Sequence, residues 1–306
     1  MTPRQLKYFV AIARCGSITT AASHLHVAQP SLSQHIATLE EELGVPVFER
    51  HARGVTLTVE GQRLLERATS LLRQFERLRD DVRRAPDDIV GNVNLCLVDS
   101  IAPLLTVPLF RRLAEVAPRL TLHLSTGISR EAHALVEARR VDIALLPTAF
   151  ELPRLEVMPL FEEYFRVFGT AEWLAADTKR LRFADLASLP LAIPDRSHDL
   201  RKILERAALA QGVSLNVRYE LNNAEVVSSV VSAGLACAIM PHNTFSAAVR
   251  ERLIVHELIE PSLTRAQSLV WMTDHPLTPA GELVRNTLVH LTHQFIEDGT
   301  LQARRL

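Results

Sequence analysis

The sequence predicts a mixed α/β chain in three parts: a small head of short helices closed by a β-hairpin, one long charged helix, and a larger unit in which strands alternate with helices. Three observations carry this. Over the first 58 positions apolar residues recur at helical spacing and then give way to two short β-prone runs. One charged, periodic stretch fills 59–84. From residue 93 onward, short apolar runs such as Val93–Val98, Leu120–Leu124, Asp142–Leu146, Leu189–Ile193 and Leu235–Met240 alternate with amphipathic segments, a texture that argues for parallel α/β layers.

In the head, Leu6, Phe9, Val10 and Ala13 lie on one helical face. Gly16 can end that helix, and Ser17 can cap the next by accepting backbone N–H bonds. Ala21, Ala22 and Leu25 then face inward, the alanines permitting close approach of two helices. His26-Val27-Ala28 is a short connector. Pro30 suits the first turn of a third helix, where its missing N–H costs nothing. Leu32, Ile36, Leu39 and Leu43 form that helix's expected buried stripe, with Gly44 and Pro46 as its stop.

The other face of this helix carries Gln29, Ser31, Ser33, Gln34 and His35 near its N-terminus. Such side chains can hydrogen-bond base edges, and a helix N-terminus favours phosphate. In a helix-turn-helix these are the residues that enter the major groove. Glu40, Glu41 and Glu42 would repel DNA and are expected at the far end, out of the groove. Val47–Arg50 and Val55–Thr58 flank a Gly-containing turn and read as a hairpin, or wing. Arg50 and Arg53 at its tip, with Thr56 beside them, are candidate DNA contacts. A helix pair with a polar face occurs in many proteins that never meet DNA; helix, helix and hairpin in this order, with arginines at the tip, point to DNA.

These residues resemble the signature of the LysR-type transcriptional regulators: Leu6-Lys7-Tyr8-Phe9, Gly16-Ser17-Ile18-Thr19, Ala21-Ala22, Leu25 to Ser33, Ile36, Leu39-Glu40, Leu43-Gly44, Leu57-Thr58 and Gly61. Ile18 replaces the aromatic more frequent at its position, a packing change. Within the family the sequence looks closest to the nitrogen-assimilation-control-like branch. The resemblance places DNA contacts at Gln29, Pro30, Ser33 and Arg53. It also implies a periplasmic-binding-protein-like C-terminal module of two α/β lobes with a ligand cleft between them.

Thr58 can cap a helix running to about Arg84. Leu64/Leu65, Ala68, Leu71/Leu72, Phe75, Leu78 and Val82 repeat with a period of about 3.5, the seam of a coiled coil. Arginines at 63, 67, 73, 77, 79, 83 and 84 keep the outer face wet. The plainer alternative is a helix packed on its own domain; the length and charge favour pairing with a second copy. A dimer also gives the contact area and two-fold symmetry that one small head lacks. Homodimer and homotetramer both remain open.

Asp87, Asp88, Gly91 and Asn92 punctuate a boundary. The expected domains are therefore 1–58, a winged helix-turn-helix; 59–88, a linker and dimerisation helix; and 89–306, an effector-binding domain. On the family's pattern, lobe I takes 91–162 and 267–306 and lobe II takes 163–266, with Ala266–Thr273 as the returning strand. Ligands of open α/β sheets bind beyond the carboxyl ends of strands. Residues just after the expected strands are thus candidates: Ser100, Thr126, Arg196, Ser197 and His198, with Asn223 before a further helix. Hydroxyls and helix N-termini converging there suit a small carboxylate, with Arg196 or His198 as counter-charge. Asp99 opposes an anion unless it is paired. The plain alternative is solvated loop residues and ordinary helix caps.

Composition bounds the rest. The 306 residues, 47% hydrophobic and 23% charged, fit a soluble globular protein of two or three units. The net charge of −1 means that any DNA-binding surface must be local. Cys15, Cys96 and Cys237 form no pair or cluster, and reduced thiols fit a cytoplasmic protein. Cys96 and Cys237 lie in expected core strands, and the cysteine pair of the family's peroxide sensors is not evident. The N-terminus lacks the apolar core of a signal peptide, and no apolar run suits a membrane span. His24 and His26 are two apart on a helix and cannot share a metal. With no phosphate-binding, metalloprotease or nucleophile-elbow motif, neither catalysis nor a cofactor is expected. The expected partners are double-stranded DNA, a small-molecule effector and RNA polymerase, with no membrane. The rival reading is a stand-alone solute-binding protein or an enzyme with a helical N-terminal extension.

Overall fold

The computed structural model describes residues 1–51, 54–82, 89–147, 154–196 and 198–306; within the long helix the side chains at 73, 74 and 76–82 lie outside the description. The chain divides into two compact units, Met1–Asp88 and Ile89–Leu306.

In the first unit, α1 (Pro3–Cys15) starts from a capping box: the Thr2 hydroxyl accepts from the Gln5 N–H, and Gln5 Oε1 accepts from the Thr2 N–H. It ends at Gly16, left-handed at φ 62°. Ser17 caps α2 (Ile18–Leu25), which ends at His26. α3 (Gln29–Leu43) has Pro30 in its first turn and stops at Gly44. Phe9, Ile12, Ala21, Leu32, Ile36 and Leu39 are fully buried between these helices. The expected stripe on α3 ends one turn early: Leu43 is 37% exposed in the last helical turn. Glu40 is more than a distant like charge, because its Oε1 accepts the N–H groups of Val47 at 2.8 Å and Phe48 at 3.2 Å. The carboxylate thereby fixes the entry to β1 (Phe48–His51), which pairs antiparallel with β2 (Gly54–Leu57).

The Thr58 hydroxyl accepts the Gly61 N–H at 2.9 Å and starts α4 (Val59–Val82). The apolar seam of this helix is divided. Ala68 is fully buried in the head core, and Leu64, Leu65 and Leu72 pack against that core. Leu71 and Phe75 on the same helix remain exposed. The first half of the seam therefore serves the head's own packing. Leu78 and Val82, which complete the expected repeat, have side chains outside the described residues, as do 83–88.

The second unit runs β3 (Gly91–Val98), α5 (Ala102–Val116), β4 (Leu120–Gly127), α6 (Ser129–Glu137), β5 (Ile143–Pro147) and β6 (Leu155–Gly169). It continues through β7 (Arg180–Arg182), a 3₁₀ turn at Phe183–Ser188, β8 (Leu191–Ile193), α7 (Asp199–Gln211), β9 (Val217–Glu220), α8 (Ala224–Ser232) and β10 (Ala238–Pro241). A 3₁₀ turn at His242–Thr244, α9 (Ala247–Arg250), β11 (Ile254–Ile259), β12 (Thr264–Met272), α10 (Pro279–Glu297) and β13 (Ala303–Arg305) complete it.

Two hydrophobic cores share this unit. One collects β3, β5, α5, α6 and α10, with Leu95, Leu105, Val136, Leu145, Val284 and Leu288 fully enclosed. The other collects Phe168, Phe183, Leu191, Leu204, Val231 and Ile239 from residues 168–239. β3 pairs parallel with β4 and β5, as the alternating texture predicts. The sheet as a whole is mixed: β12 runs antiparallel to both β5 and β6, since it brings the chain back from the second core.

β6 is an element that periodicity misses. Leu155, Leu160 and Phe161 belong to the first core, Phe165, Val167 and Phe168 to the second, and Glu162-Glu163 between them breaks the apolar run. β12 accompanies it, from Thr264 opposite Tyr164 to Met272 opposite Leu155, with a register shift at Gln267/Ser268. Where these strands pass between the cores, a buried polar layer forms from Glu163, Arg265, Gln267 and Ser268.

Candidate functional site

On the head, Gln29, Pro30, Ser31 and Gln34 are exposed and Ser33 is half-buried, all on the first turns of α3. Gln29 Nε2 donates to Ser33 Oγ at 3.2 Å, so the two present their polar atoms together. Ala28 at the N-cap supplies no side-chain acceptor, which leaves the first N–H groups of α3 without a side-chain cap. His35, grouped with this face in the sequence, packs edge-on against the Tyr8 ring at 5.1 Å instead. Arg50 is exposed on β1, one residue before the strand's end, and Thr56 is exposed on β2 opposite Glu49. Arg53 lies outside the described residues.

Two glycines hold these surfaces in place. The Val55 N–H donates to Gly16 O at 2.9 Å, and a Cβ at Gly54 (φ 141°) would collide with that same carbonyl. A Cβ at Gly61 would collide with Val47 O. The hairpin is thus seated on the α1–α2 junction, and the first turn of α4 on the entry to the hairpin.

In the second unit, the carboxyl ends of β3, β4 and β8 and the start of α8 surround a solvent-open cavity of about 510 Å³. Val98, Ile128, Leu200, Leu221, Val227 and Met240 supply apolar walls; Asp99, Ser100, His198, Asn223, Thr244 and Arg265 supply polar groups. Ser100, His198 and Asn223 from the sequence-derived set therefore meet in one place. Thr126 does not line this cavity, because β4 runs on through Gly127 and leaves Thr126 exposed on the strand. Nor does Arg196, which pairs with Glu205 at 3.2 Å with its side chain 80% exposed. Ser197 lies outside the described residues.

The cation of the cavity is Arg265, on β12. It is buried, 2.7 Å from Glu163 Oε1, and donates from Nη2 to Ser100 Oγ at 3.1 Å. Gln267 Nε2 donates to the same Glu163 oxygen at 2.7 Å. Sequence reasoning missed Arg265 because it precedes the expected strand at 266–273. An arginine beside the apolar run Ser268–Met272 was the available signal. His198 caps α7 through Nδ1, which accepts the Leu200 N–H at 3.2 Å. Burial holds its pKa below the usual histidine value, Arg265 lowers it further, and Asp199, Asp195 and Asp99 oppose both. A neutral ring with Nδ1 accepting leaves Nε2–H as the donor. Asn223 Oδ1 accepts from the Glu225 and Val226 N–H groups and caps α8. Thr244 is 8% exposed, and its Oγ1 is buried with no hydrogen-bond partner.

Among the described residues no group of three or more His, Cys, Asp or Glu side chains could hold a metal ion, and no helix is long and apolar enough to cross a membrane. Burial raises the pKa of Cys96, and that of Cys237 to about 12.

Two family models match the chain: the bacterial regulatory helix-turn-helix protein model of the lysR family over residues 3–62, and the LysR substrate binding domain model over residues 87–292. Among curated relatives, the hydrogen peroxide-inducible genes activator of Pectobacterium carotovorum subsp. carotovorum is 27% identical over 290 residues, 94% of this chain and 96% of that protein. The nitrogen assimilation regulatory protein nac of Klebsiella aerogenes is 26% identical over 293 residues, 95% of each chain. Full-length OxyR from Pseudomonas aeruginosa, solved as a point variant, shares the fold at a TM-score of 0.70 and 22% identity, covering 96% of this chain and 95% of that one.

Proposed function

Because the chain belongs to the LysR family of DNA-binding bacterial transcriptional regulators with an effector-binding domain, we propose how its own residues divide that work. The start of α3 reads duplex bases through Gln29, Ser31, Ser33 and Gln34, with Pro30 packed along the groove wall. Arg50, Arg53 and Thr56 hold the flanking phosphates. The observation that carries this reading is the exposed face of α3, where Gln29 and Ser33 bond to each other above an N-terminus with no side-chain cap.

The domains follow the division 1–58, 59–88 and 89–306, with lobe I at 91–162 and 267–306 and lobe II at 163–266. The placement of Glu163 and Arg265 in the strands that join the two cores supports that lobe boundary. The exposed Leu71 and Phe75 on α4 support pairing of two copies through the distal half of that helix. Dimers of this kind, joined into tetramers through the sensing units, place several heads on one stretch of DNA. A small effector carrying a carboxylate binds the cavity and favours one arrangement over another through unequal affinity for the two. The regulator acts in the cytoplasm, where it contacts RNA polymerase at the promoter, and it is not an enzyme.

Gel shift and fluorescence anisotropy with DNA from upstream of the gene test this reading. Ser33→Ala is expected to alter the preferred sequence, whereas Arg50→Ala weakens binding to all sequences alike and lowers the salt dependence. Unchanged selectivity in Ser33→Ala, with full affinity retained, would show that another surface reads the bases.

A further inference from the structure

We propose that the cavity takes a zwitterionic ligand of the α-amino-acid type, its carboxylate set against Arg265, its ammonium against Asp99, and an apolar side chain against Leu200, Leu221, Val227 and Met240. This rests on the effector-cavity reading above and deepens it.

Charge selects the zwitterion. The cation Arg265 is already matched by Glu163 at 2.7 Å, and neutral His198 adds nothing. Asp99 lines the cavity one residue from Ser100, which itself holds Arg265. Arg265, Glu163 and Asp99 therefore sum to one negative charge, and Asp195 and Asp199 beside His198 add to it. A carboxylate alone adds a second negative charge beside Asp99, and a dicarboxylate adds two. An ammonium alone satisfies Asp99 but leaves the guanidinium without a ligand. A molecule carrying both charged groups on one carbon answers both, since Asp99 and the Ser100–Arg265 contact are neighbours in the chain.

Hydrogen bonding agrees. No partner of Arg265 Nη1 is found among the described residues, so that arm of the guanidinium can serve a carboxylate oxygen. Thr244 points to a ligand independently. It lines the cavity with its hydroxyl buried and unpartnered, a state that costs stability when nothing pairs with it. A bound polar group relieves that cost. Beside His198 and Asn223, one stretch of the remaining wall is apolar, formed by Leu200, Leu221, Val227 and Met240, and it suits an aliphatic, thioether or aromatic side chain.

The test is calorimetric titration of the full chain with L-leucine, L-methionine and L-phenylalanine, and with the deaminated acid and decarboxylated amine of each. At least one amino acid is expected to bind, and both of its analogues to bind at least about ten-fold more weakly. Thr244→Val, nearly isosteric, is expected to weaken the amino acid by about ten-fold. Asp99→Asn, at an exposed position, is expected to narrow the gap between the amino acid and its deaminated acid. A deaminated acid that binds as tightly as its parent overturns the zwitterion, and so does the failure of all three amino acids to bind. Melting curves with mixed small metabolites separate this failure from that of the cavity itself. A mixture that stabilises the wild-type chain but not Thr244→Val keeps the effector site and discards the zwitterion; no stabilisation by any mixture discards both.

Discussion

The helix-turn-helix head and the cavity of the second unit are built on opposite plans. On the head, Gln29, Ser31 and Gln34 are exposed and Gln29 bonds to the half-buried Ser33, while the scaffold beneath them has no room to give: Gly54 sits against Gly16, and Gly61 against Val47. In the cavity Arg265 and Thr244 are buried; Arg265 is engaged by Glu163 and Ser100, and the orphaned Thr244 hydroxyl leaves the set incomplete. A surface meant to dock on a partner many times its size needs rigidity below and freedom above. A site meant to respond to a small molecule needs polar groups kept dry and partly unsatisfied, so that binding changes their energy.

The largest expected effect tests the buried side of this contrast. Glu163→Gln leaves the Arg265 guanidinium buried without its counter-charge and is expected to cost about 3–5 kcal/mol of stability in the sensing unit, read by denaturant unfolding. Replacing both partners by leucine and methionine should cost much less. Equal losses in the single and double variants would mean that packing, and not charge, dominates there.

Next comes the head's rigidity. Gly61→Ala forces a methyl group into the Val47 carbonyl and is expected to destabilise the head by about 3 kcal/mol, with loss of DNA binding. Retained binding would show that the hairpin can shift, and the comparison would lose its rigid half. The exposed face ranks third. Ser33→Ala should change discrimination at one base by about 1–3 kcal/mol while leaving the melting temperature within a degree or so.

At neutral pH the smallest effect concerns His242, whose pKa burial, Arg250 and Arg166 push down to about 4. The unfolded chain takes up a proton near 6.5 that the folded chain refuses until about 4. Stability is therefore full above 6.5 and falls as the pH drops towards 4. Melting temperatures across that range should decline less steeply in His242→Gln.

The same contrast decides what the sequence could tell. The head was legible because its determinants lie within a few positions of one another. Ser17 caps the helix it precedes, Gly16 and Gly44 stop the helices they follow, and Thr58 starts α4. Its errors were also local, in Leu43 and in the half of the α4 seam turned onto its own head. The cavity draws on residues 99–100, 127–129, 194–200, 221–227, 240–244 and 265, which only the folded topology brings together. Strand ends gave Ser100, His198 and Asn223. They could not give Arg265, whose role depends on a glutamate a hundred positions earlier, nor Thr244 in its short 3₁₀ turn. Arg196 stands apart from the cavity, and nothing before the fold reveals Glu205 as its partner.

β6 has a further consequence, in the order of synthesis. Its partners β10, β11, β12 and β13 all follow it in the chain, the last at Ala303–Arg305. Contacts of such long sequence separation close slowly, and here they cannot close until the chain has been made through Arg305. The head, by contrast, needs little beyond its first 72 residues. A ribosome therefore releases a reader of DNA well before the sensor that governs it, so a message cut short downstream of α4 would yield a DNA-binding fragment that no effector controls.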